Sequence, residues 1–214
     1  MMLDNYKGKK VLVLAPHTDD GELGCGGTIA KLAEQGAEVF YMVFSICTNS
    51  LPKGLAPDTL SREVSAATLH LGIPNKNLIL HDYDVRTFST HRQDILDDLI
   101  KFRSEIKPDL VFLPAGTDIH QDHEVISQEG IRAFKQTNIL GYEMPWNNLS
   151  FSTSCFVKLT EQLIETKIRA LKEYESQNHR DYFNETFIKS LAYTRGVQVG
   201  CEYAEAFEVV RILL

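Results

Sequence analysis

The sequence predicts an α/β fold with an open, mostly parallel, doubly wound sheet that carries helices on both faces. Short apolar runs such as KKVLVLA at residues 9–15 are continuous rather than alternating, which is typical of strands covered on both faces. Segments with apolar residues at helical spacing lie between these runs, and glycines or prolines separate them. Such an alternation of strands and helices folds into a parallel sheet with right-handed crossovers.

The expected elements follow one another in a β-α-β-α-β-α-β order. Gly36 is expected to end the first helix, Gly72 and Pro74 the second, and Pro108 separates the third from the next strand. Strands are expected at residues 9–15, 37–45, 77–82 and 109–114, with helices at 26–35, 60–71 and 94–106 and a loop at 46–59. The rest is expected to hold a strand at 139–145, a strand-like segment at 151–159, a helix at 160–174 and a terminal apolar segment at 204–214. We therefore expect a Rossmann-like three-layer sandwich that forms a single domain over residues 1–214.

The composition indicates a globular protein whose partner is a small molecule. Hydrophobic residues make up 43% of the 214 residues and charged residues 24%, which suits one domain with its own core. The formal charge of −7 and the absence of Lys/Arg clusters argue against a nucleic-acid partner. No segment reaches the ~20 apolar residues that cross a bilayer, so no membrane partner is expected. The four cysteines form no CxxC pair and suit a reducing cytoplasm, where we expect the protein to be located; a homo-oligomer is left open.

A first polar cluster, PHTDDGE at residues 16–22, directly follows the first expected strand. It places His17 beside Asp19, Asp20 and Glu22. Carboxylates that crowd one strand end repel each other, and a divalent cation offsets this repulsion; imidazole and oxygen ligands together match zinc or a similar metal. A solvated acidic loop, in which Asp20 or Glu22 caps the next helix, explains this motif equally well when it is taken alone.

A second polar cluster, DIHQDH at residues 118–123, follows the fourth expected strand. The first and fourth strands are neighbours in the commonest doubly wound orders, so the two clusters are expected to face each other in the crevice where this fold binds ligands. Two converging His/Asp clusters favour a metal site over two unrelated acidic loops. A catalytic zinc uses three protein ligands and leaves a position for water, so that one Asp and one His remain for acid–base work. The sequence therefore predicts a hydrolase.

The Gly-rich segment GELGCGG at residues 21–27 does not match a dinucleotide-binding fingerprint. Its register differs from GxGxxG, and Asp19, Asp20 and Glu22 would put like charge where a pyrophosphate binds. We expect these glycines to allow close turns and helix packing. Cys25 is interpreted as a small buried side chain rather than a nucleophile.

The motif HTDDGELGCGGT, followed much later by HQDH, resembles the PIG-L/LmbE family of zinc-dependent N-acetylglucosaminyl deacetylases, including those of bacillithiol and mycothiol type. The resemblance extends through Arg62 and Glu63, in a segment similar to R-E-x(3)-A-x(3)-L-G, and to YAEAF at residues 203–207. It covers nearly the whole chain. It implies an enzyme that hydrolyses the linear amide C–N bond of an acetylated amino sugar.

The resemblance implies the residues that carry the reaction. It implies that His17, Asp20 and His123 bind Zn²⁺, with Fe²⁺ as an alternative that suits the same ligands. It further implies that Asp19 is the general base that activates the water and that His120 is the general acid.

The resemblance implies three further roles, which are less direct. Asp122 is expected to orient and charge His120, Arg62 to contact the sugar or its substituent, and Tyr203 to line the site. Asp118 stands where some relatives carry a mobile tyrosine, so oxyanion stabilisation by a tyrosine is not transferred to this chain. Thr18 and Gln121 replace prolines of the family and lie between functional positions rather than on them.

The predicted function is therefore removal of the N-acetyl group from an N-acetylglucosamine-type sugar or glycoconjugate. One alternative is a metal-dependent amidase for a different acylated amine, and the loops at 46–59 and 138–150 are expected to make that distinction. A second is a protein that keeps the metal site and binds a sugar without turnover. Trp146 either forms an aromatic platform for a sugar or is a packed core residue.

Overall fold

The fold is taken from a computed structural model of the chain, which describes residues 6–213. In this range the strands are β1 (Lys10–His17), β2 (Glu38–Ser45), β3 (Leu78–Leu80), β4 (Leu110–Pro114), β5 (Asn138–Tyr142), β6 (Cys155–Leu159) and β7 (Tyr203–Arg211). The α-helices are α1 (Asp20–Glu34), α2 (Thr59–His70), α3 (Arg92–Ile106), α4 (Gln121–Ala133), α5 (Glu161–Lys172) and α6 (Glu185–Gln198). The predicted α/β architecture is confirmed.

The strands form one sheet in the order β3-β2-β1-β4-β5-β7-β6. The pairs from β3 to β5 are parallel, and β7 runs antiparallel to both β5 and β6. β1 lies inside the sheet, between β2 and the central strand β4, and pairs with β4 with Val11 opposite Leu110 and Val13 opposite Phe112. The predicted neighbourhood of the first and fourth strands is therefore confirmed, and the loops that follow them meet at one edge of the sheet.

The alternation of side chains along β1 divides the core into two layers. Val11, Val13 and Ala15 pack against α1, α2, α5 and α6 on one face of the sheet. Leu12 and Leu14 pack against α3 and α4 on the opposite face. Both faces of this strand are buried, which is the reason why its sequence is continuously apolar.

Helix α1 begins six residues before the predicted start at residue 26, because its first turns are rich in glycine and carry little helical signal. At Cys25 the backbone leaves the helical region, with φ −146° and ψ 22°, so the predicted start is close to this break. Helices α4 and α6 were not predicted. In α4 the first turn is polar, and few apolar residues mark its buried face, among them Val125, Ile126 and Ala133.

The remaining boundaries differ by a few residues. β3 is confined to Leu78–Leu80, β5 ends at Tyr142 rather than residue 145, and β6 occupies only the second half of the predicted segment at 151–159. The prediction of a single domain over 1–214 and of a terminal apolar segment to 214 includes residues 1–5 and 214, which lie outside the described residues. Over residues 6–213, the helices are too short or too polar to span a bilayer.

Candidate metal centre and active site

The two polar clusters meet at the carboxyl ends of β1 and β4. His17 is the last residue of β1, and Asp118, His120 and His123 lie in the turn after β4 and the first turn of α4. His17, His120 and His123, together with residues from the later loops, line a cavity of about 270 Å³. The crevice predicted from the strand order is therefore present.

Three side-chain atoms converge in this crevice at nearly equal separations. His17 Nδ1 lies 3.1 Å from Asp20 Oδ2, which lies 3.2 Å from His123 Nε2, and the two histidine nitrogens are 3.3 Å apart. Ligands at ~2.0–2.1 Å from a tetrahedral zinc ion lie about 3.3–3.4 Å from one another. The triangle of His17, Asp20 and His123 therefore fits a tetrahedral divalent cation with the fourth position open.

The second nitrogen of each of these histidines faces a buried carboxylate. Asp122 Oδ2 lies 3.1 Å from His17 Nε2, and Asp118 Oδ2 lies 2.7 Å from His123 Nδ1. Carboxylates in this position fix the tautomer and the ring orientation of metal-binding histidines. The sequence predicted no role for Asp118. The resemblance implied that Asp122 orients His120, but in the structure the Asp122 carboxylate hydrogen-bonds to His17.

His120 is an alternative metal-binding residue at the same site. Ring nitrogens of His17, His120 and His123 all lie within 4.8 Å of one another and are a candidate metal-binding group. However, His120 Nδ1 accepts a hydrogen bond of 3.2 Å from the Asp122 backbone and caps α4, and the contacts of Asp20 match the spacing of tetrahedral ligands more closely. The geometry therefore favours Asp20 as the third ligand and leaves His120 beside the site.

In the metal-free site, the neighbouring charges favour an ionised Asp20 and a protonated His123. Burial raises the pKa of Asp20, but His123 and His17 outweigh it and hold that pKa well below its ordinary range. Burial lowers the pKa of His123, yet Asp20 and Asp118 overcome it and raise that pKa to about 10. A metal ion that binds here therefore displaces a proton from His123.

Asp19 lies beside the triangle formed by His17, Asp20 and His123 and is not one of its three members. It lines the cavity, and its main-chain carbonyl accepts a 3.0 Å hydrogen bond from Leu23 in the first turn of α1. Burial and the neighbouring Asp20 raise its pKa to about 6, against the opposing charges of His17 and Arg180. A carboxyl with this pKa is suited to exchange protons near neutral pH.

The ring of His120 is oriented by the main chain. Because Nδ1 accepts a hydrogen bond, the proton of the neutral ring resides on Nε2. Burial, together with His123 and His17, lowers the pKa of His120 to about 4. His120 therefore offers an N–H donor to the cavity.

A buried group behind the first motif supports the backbone at Thr18. Tyr41 and Tyr174 both donate hydrogen bonds toward the Thr18 carbonyl, at 3.3 Å and 2.7 Å, and both contact the Glu22 carboxyl. Burial raises the pKa of Glu22 to about 8. Glu22 is one of the three acidic residues of the motif. Its carboxyl contacts the two tyrosines and therefore supports the loop rather than facing the metal position.

The break in α1 is held by a buried ion pair from α5 and β7. Glu205 accepts hydrogen bonds from the main-chain N–H groups of Gly27, at 3.0 Å, and Thr28, at 2.7 Å, just beyond Cys25. Lys167 Nζ donates to the Leu23 carbonyl just before the break and lies 2.7 Å from Glu205. These two side chains satisfy backbone groups that a continuous helix would satisfy by itself.

Two residues that the resemblance implied as substrate contacts do not line the cavity. Arg62 is exposed on α2 and forms an ion pair of 3.0 Å with Asp58. Tyr203 begins β7, pairs with Leu159 of β6 and packs its ring near that of Tyr193. Their roles in binding a sugar remain predictions.

Other residues, from loops that carry little sequence signal, complete the wall of the cavity. Trp146 stacks on Tyr182 with ring centroids 4.1 Å apart, and both line the cavity. Gln177, Arg180 and Arg86 also line it. Trp146 is 38% exposed, so it is a surface aromatic at the cavity rather than a core residue.

Comparisons with known proteins indicate the family of this chain. A family model described as PIG-L: GlcNAc-PI de-N-acetylase matches residues 12–134. "Uncharacterized deacetylase YaiS" from Escherichia coli (strain K12) is 31% identical over 79% of this chain and 92% of that protein. Diacetylchitobiose deacetylase from Thermococcus kodakarensis is 25% identical, and the match spans 94% of this chain and 83% of that protein. The solved structure of N,N'-diacetylchitobiose deacetylase from Pyrococcus horikoshii superposes with a TM-score of 0.80 at 25% identity, over 97% of this chain and 86% of that one.

Proposed function

Because the chain belongs to the PIG-L family, we propose that it is a metal-dependent hydrolase that removes the N-acetyl group from an N-acetylglucosamine-type amino sugar. The observation that carries the proposal is the position of Asp19 and His120, which line the cavity beside the metal-binding triangle without belonging to it. A protein that only stored or bound a metal would not need this pair. The names of the relatives, two of which are deacetylases of diacetylchitobiose, support the substrate class.

His17, Asp20 and His123 are proposed to hold the cation, which is Zn²⁺ or alternatively Fe²⁺. Such a cation, when bound, polarises a water molecule and the acyl oxygen. Asp118 and Asp122 keep the two histidine rings in place. This arrangement leaves the neighbouring side chains free for proton transfer.

Asp19 takes a proton from the water molecule that attacks the acyl carbon. The neutral ring of His120 donates its Nε2–H to the acyl oxygen and stabilises the negative charge that develops there, while Nδ1 keeps its hydrogen bond from the Asp122 main chain. Asp19 then passes the proton that it took from the water to the leaving nitrogen as the C–N bond breaks, which returns Asp19 to its ionised form. The products are acetate and the free amino sugar.

The proposal is tested by mass spectrometry of acetylated amino sugars incubated with the zinc-loaded protein. We expect loss of one acetyl group, and we expect Asp19→Asn to lower kcat by about 10²–10⁴-fold while bound zinc remains stoichiometric. Asp97→Asn, at an exposed position of α3, is the matched control and should keep full activity. Loss of zinc together with activity would reassign Asp19 as a ligand. Zinc binding without hydrolysis of any sugar would favour an amidase for another acylated amine or a sugar-binding protein.

A further inference from the structure

The segment that links α5 to α6 forms one wall of the cavity beside the metal centre. We call residues 175–183 the wall segment, and its members Gln177, Arg180 and Tyr182 line the cavity. It contains two short 3₁₀ turns, and its main-chain N–H groups that donate to main-chain carbonyls do so over no more than three residues. The position of the wall segment therefore depends on contacts that side chains make.

Glu63 of α2 holds the beginning of the wall segment. Its Oε1 accepts a 3.0 Å hydrogen bond from the Ser176 main-chain N–H, and its Oε2 accepts a 2.6 Å hydrogen bond from the Ser176 hydroxyl. Ser176 is 9% exposed and Glu63 is half-buried, so water competes little for these bonds. Hydrogen bonds to a carboxylate are about twice as strong as those between neutral groups. Both oxygens of one side chain thus fix one residue of the wall segment.

The hydrogen bonds continue from Ser176 into the cavity wall. Ser176 Oγ accepts a 3.0 Å bond from the Gln177 side chain, and Gln177 Oε1 accepts a 2.7 Å bond from Arg180 Nε. Arg180 Nη1 in turn donates to the Tyr182 hydroxyl at 2.6 Å. From Arg180 to Glu63 every donor points toward the carboxylate, and hydrogen bonds in such a series strengthen one another. The carboxylate is therefore connected to three side chains that face the cavity.

An aromatic contact joins the far end of this series to a second loop. The Tyr182 ring stacks on Trp146, with centroids 4.1 Å apart and an angle of 9° between the planes. Trp146 lies in the loop between β5 and β6 and also lines the cavity. Offset stacking of this kind adds to the energy gained from burial alone. The order of the wall segment therefore affects two of the loops that a substrate would touch.

A role within α2 does not account for Glu63. An acidic residue that supports its own helix pairs with a cation one turn away, as Asp58 does with Arg62. The positions three and four residues from Glu63 carry no charge; they are Thr59, Leu60, Ala66 and Ala67. Both of its hydrogen bonds instead reach Ser176, 113 residues away.

We propose that Glu63 is a positioning residue of the active site, which holds the wall segment, through Ser176 and Gln177, in the conformation that binds the amino sugar. Glu63 does not itself line the cavity, so it acts on the substrate through the wall segment. This inference rests on the proposed function, since the ligand is the acetylated amino sugar of the same site. Loss of the contact should weaken substrate binding and leave the chemical step in place.

The first measurement does not depend on turnover. Trp146 is the single tryptophan of the chain, so the intrinsic fluorescence of tryptophan reports on the cavity wall. Glu63→Gln and Ser176→Ala should each raise the acrylamide quenching constant about twofold, because Trp146 is 38% exposed and loss of the stacked ring uncovers one of its faces. Glu105→Gln, at an exposed position of α3, is the matched control and should leave the constant unchanged.

The second measurement is kinetic and uses the zinc-loaded protein at about pH 8, where carboxyl side chains are ionised. Each of the two variants should raise KM for the acetylated sugar about tenfold, as the loss of one hydrogen bond to a charged group implies. Because the lost binding is shared by the ground state and the transition state, kcat should change less than about twofold. Zinc affinity should equal that of the wild type, and Glu105→Gln should leave both constants unchanged.

A double variant tests the route through Ser176. Both single variants break the bond between Glu63 Oε2 and the Ser176 hydroxyl, and glutamine keeps an acceptor for the main-chain N–H. Adding Glu63→Gln to Ser176→Ala should therefore change KM and the quenching constant little further.

Three results would overturn the inference while the proposed function stands. The first is an unchanged quenching constant and KM in both single variants with only a lower melting temperature, because Glu63 would then merely stabilise the fold. The second is a loss in kcat with KM unchanged, and the third is additive effects in the double variant. If no sugar is hydrolysed, the proposed function fails, and the quenching constants of the single and double variants then decide the inference.

Discussion

Replacement of Asp118 by asparagine tests whether the buried carboxylates set the affinity of the metal centre. Asp118 Oδ2 lies 2.7 Å from His123 Nδ1, and the two side chains are only 1% and 3% exposed. Asparagine keeps the size of the side chain and removes its charge. A hydrogen bond to a charged group contributes about 1.5–3 kcal/mol, and the loss of a partner of a metal-binding histidine lowers metal affinity by about 10–100-fold. The latter corresponds to about 1.4–2.7 kcal/mol, so the two ranges overlap.

The assay is competition for zinc between the metal-free protein and a fluorescent chelator near neutral pH. Asp118→Asn should weaken zinc binding by about 10–100-fold, and Asp97→Asn should leave it unchanged. The melting temperature of the metal-free protein is measured in parallel. A variant that melts earlier but binds zinc as tightly as the wild type would refute the reasoning, because Asp118 would then only stabilise the turn before α4.

Three further predictions concern proton release, pH dependence and stability. Zinc binding should release at least one proton near neutral pH, because the pKa of His123 in the metal-free site is raised to about 10; calorimetry that gives the same heat in buffers of different ionisation enthalpy would contradict this. Activity should fall at a pH at or below about 6, because burial raises the pKa of Asp19 to about 6 in the metal-free site, a bound cation lowers it, and the protonated carboxyl no longer accepts a proton; a kcat/KM profile that stays flat into the acid range speaks against Asp19 as the base. Lys167→Met should lower the free energy of unfolding in urea by about 3–5 kcal/mol because Glu205 is left buried and unpaired. The double variant with Glu205→Gln should lose less, and equal losses would show that the charge is immaterial.

The sequence by itself determined the sheet and the place of the site. Continuous apolar runs such as VLVLA at 11–15 depend only on the burial of both faces, and they predicted the parallel strands. The motifs at 16–22 and 118–123 predicted where the donors lie, since the loops after neighbouring parallel strands meet at one edge. These are local signals, which do not require knowledge of side-chain contacts.

Only the tertiary structure decided which carboxylate faces which ring. Asp122 lies next in sequence to His123, yet its carboxylate contacts His17, which is 105 residues away, and Asp118 contacts His123 instead. These pairings depend on the angle at which α4 leaves the sheet and on the rotamers that packing permits. The same holds for Arg180, whose loop carries little periodic signal and which reaches the cavity only because the segment after α5 packs beside it. The chemical type of the donors is a property of the sequence, whereas their partners are a property of the packed fold.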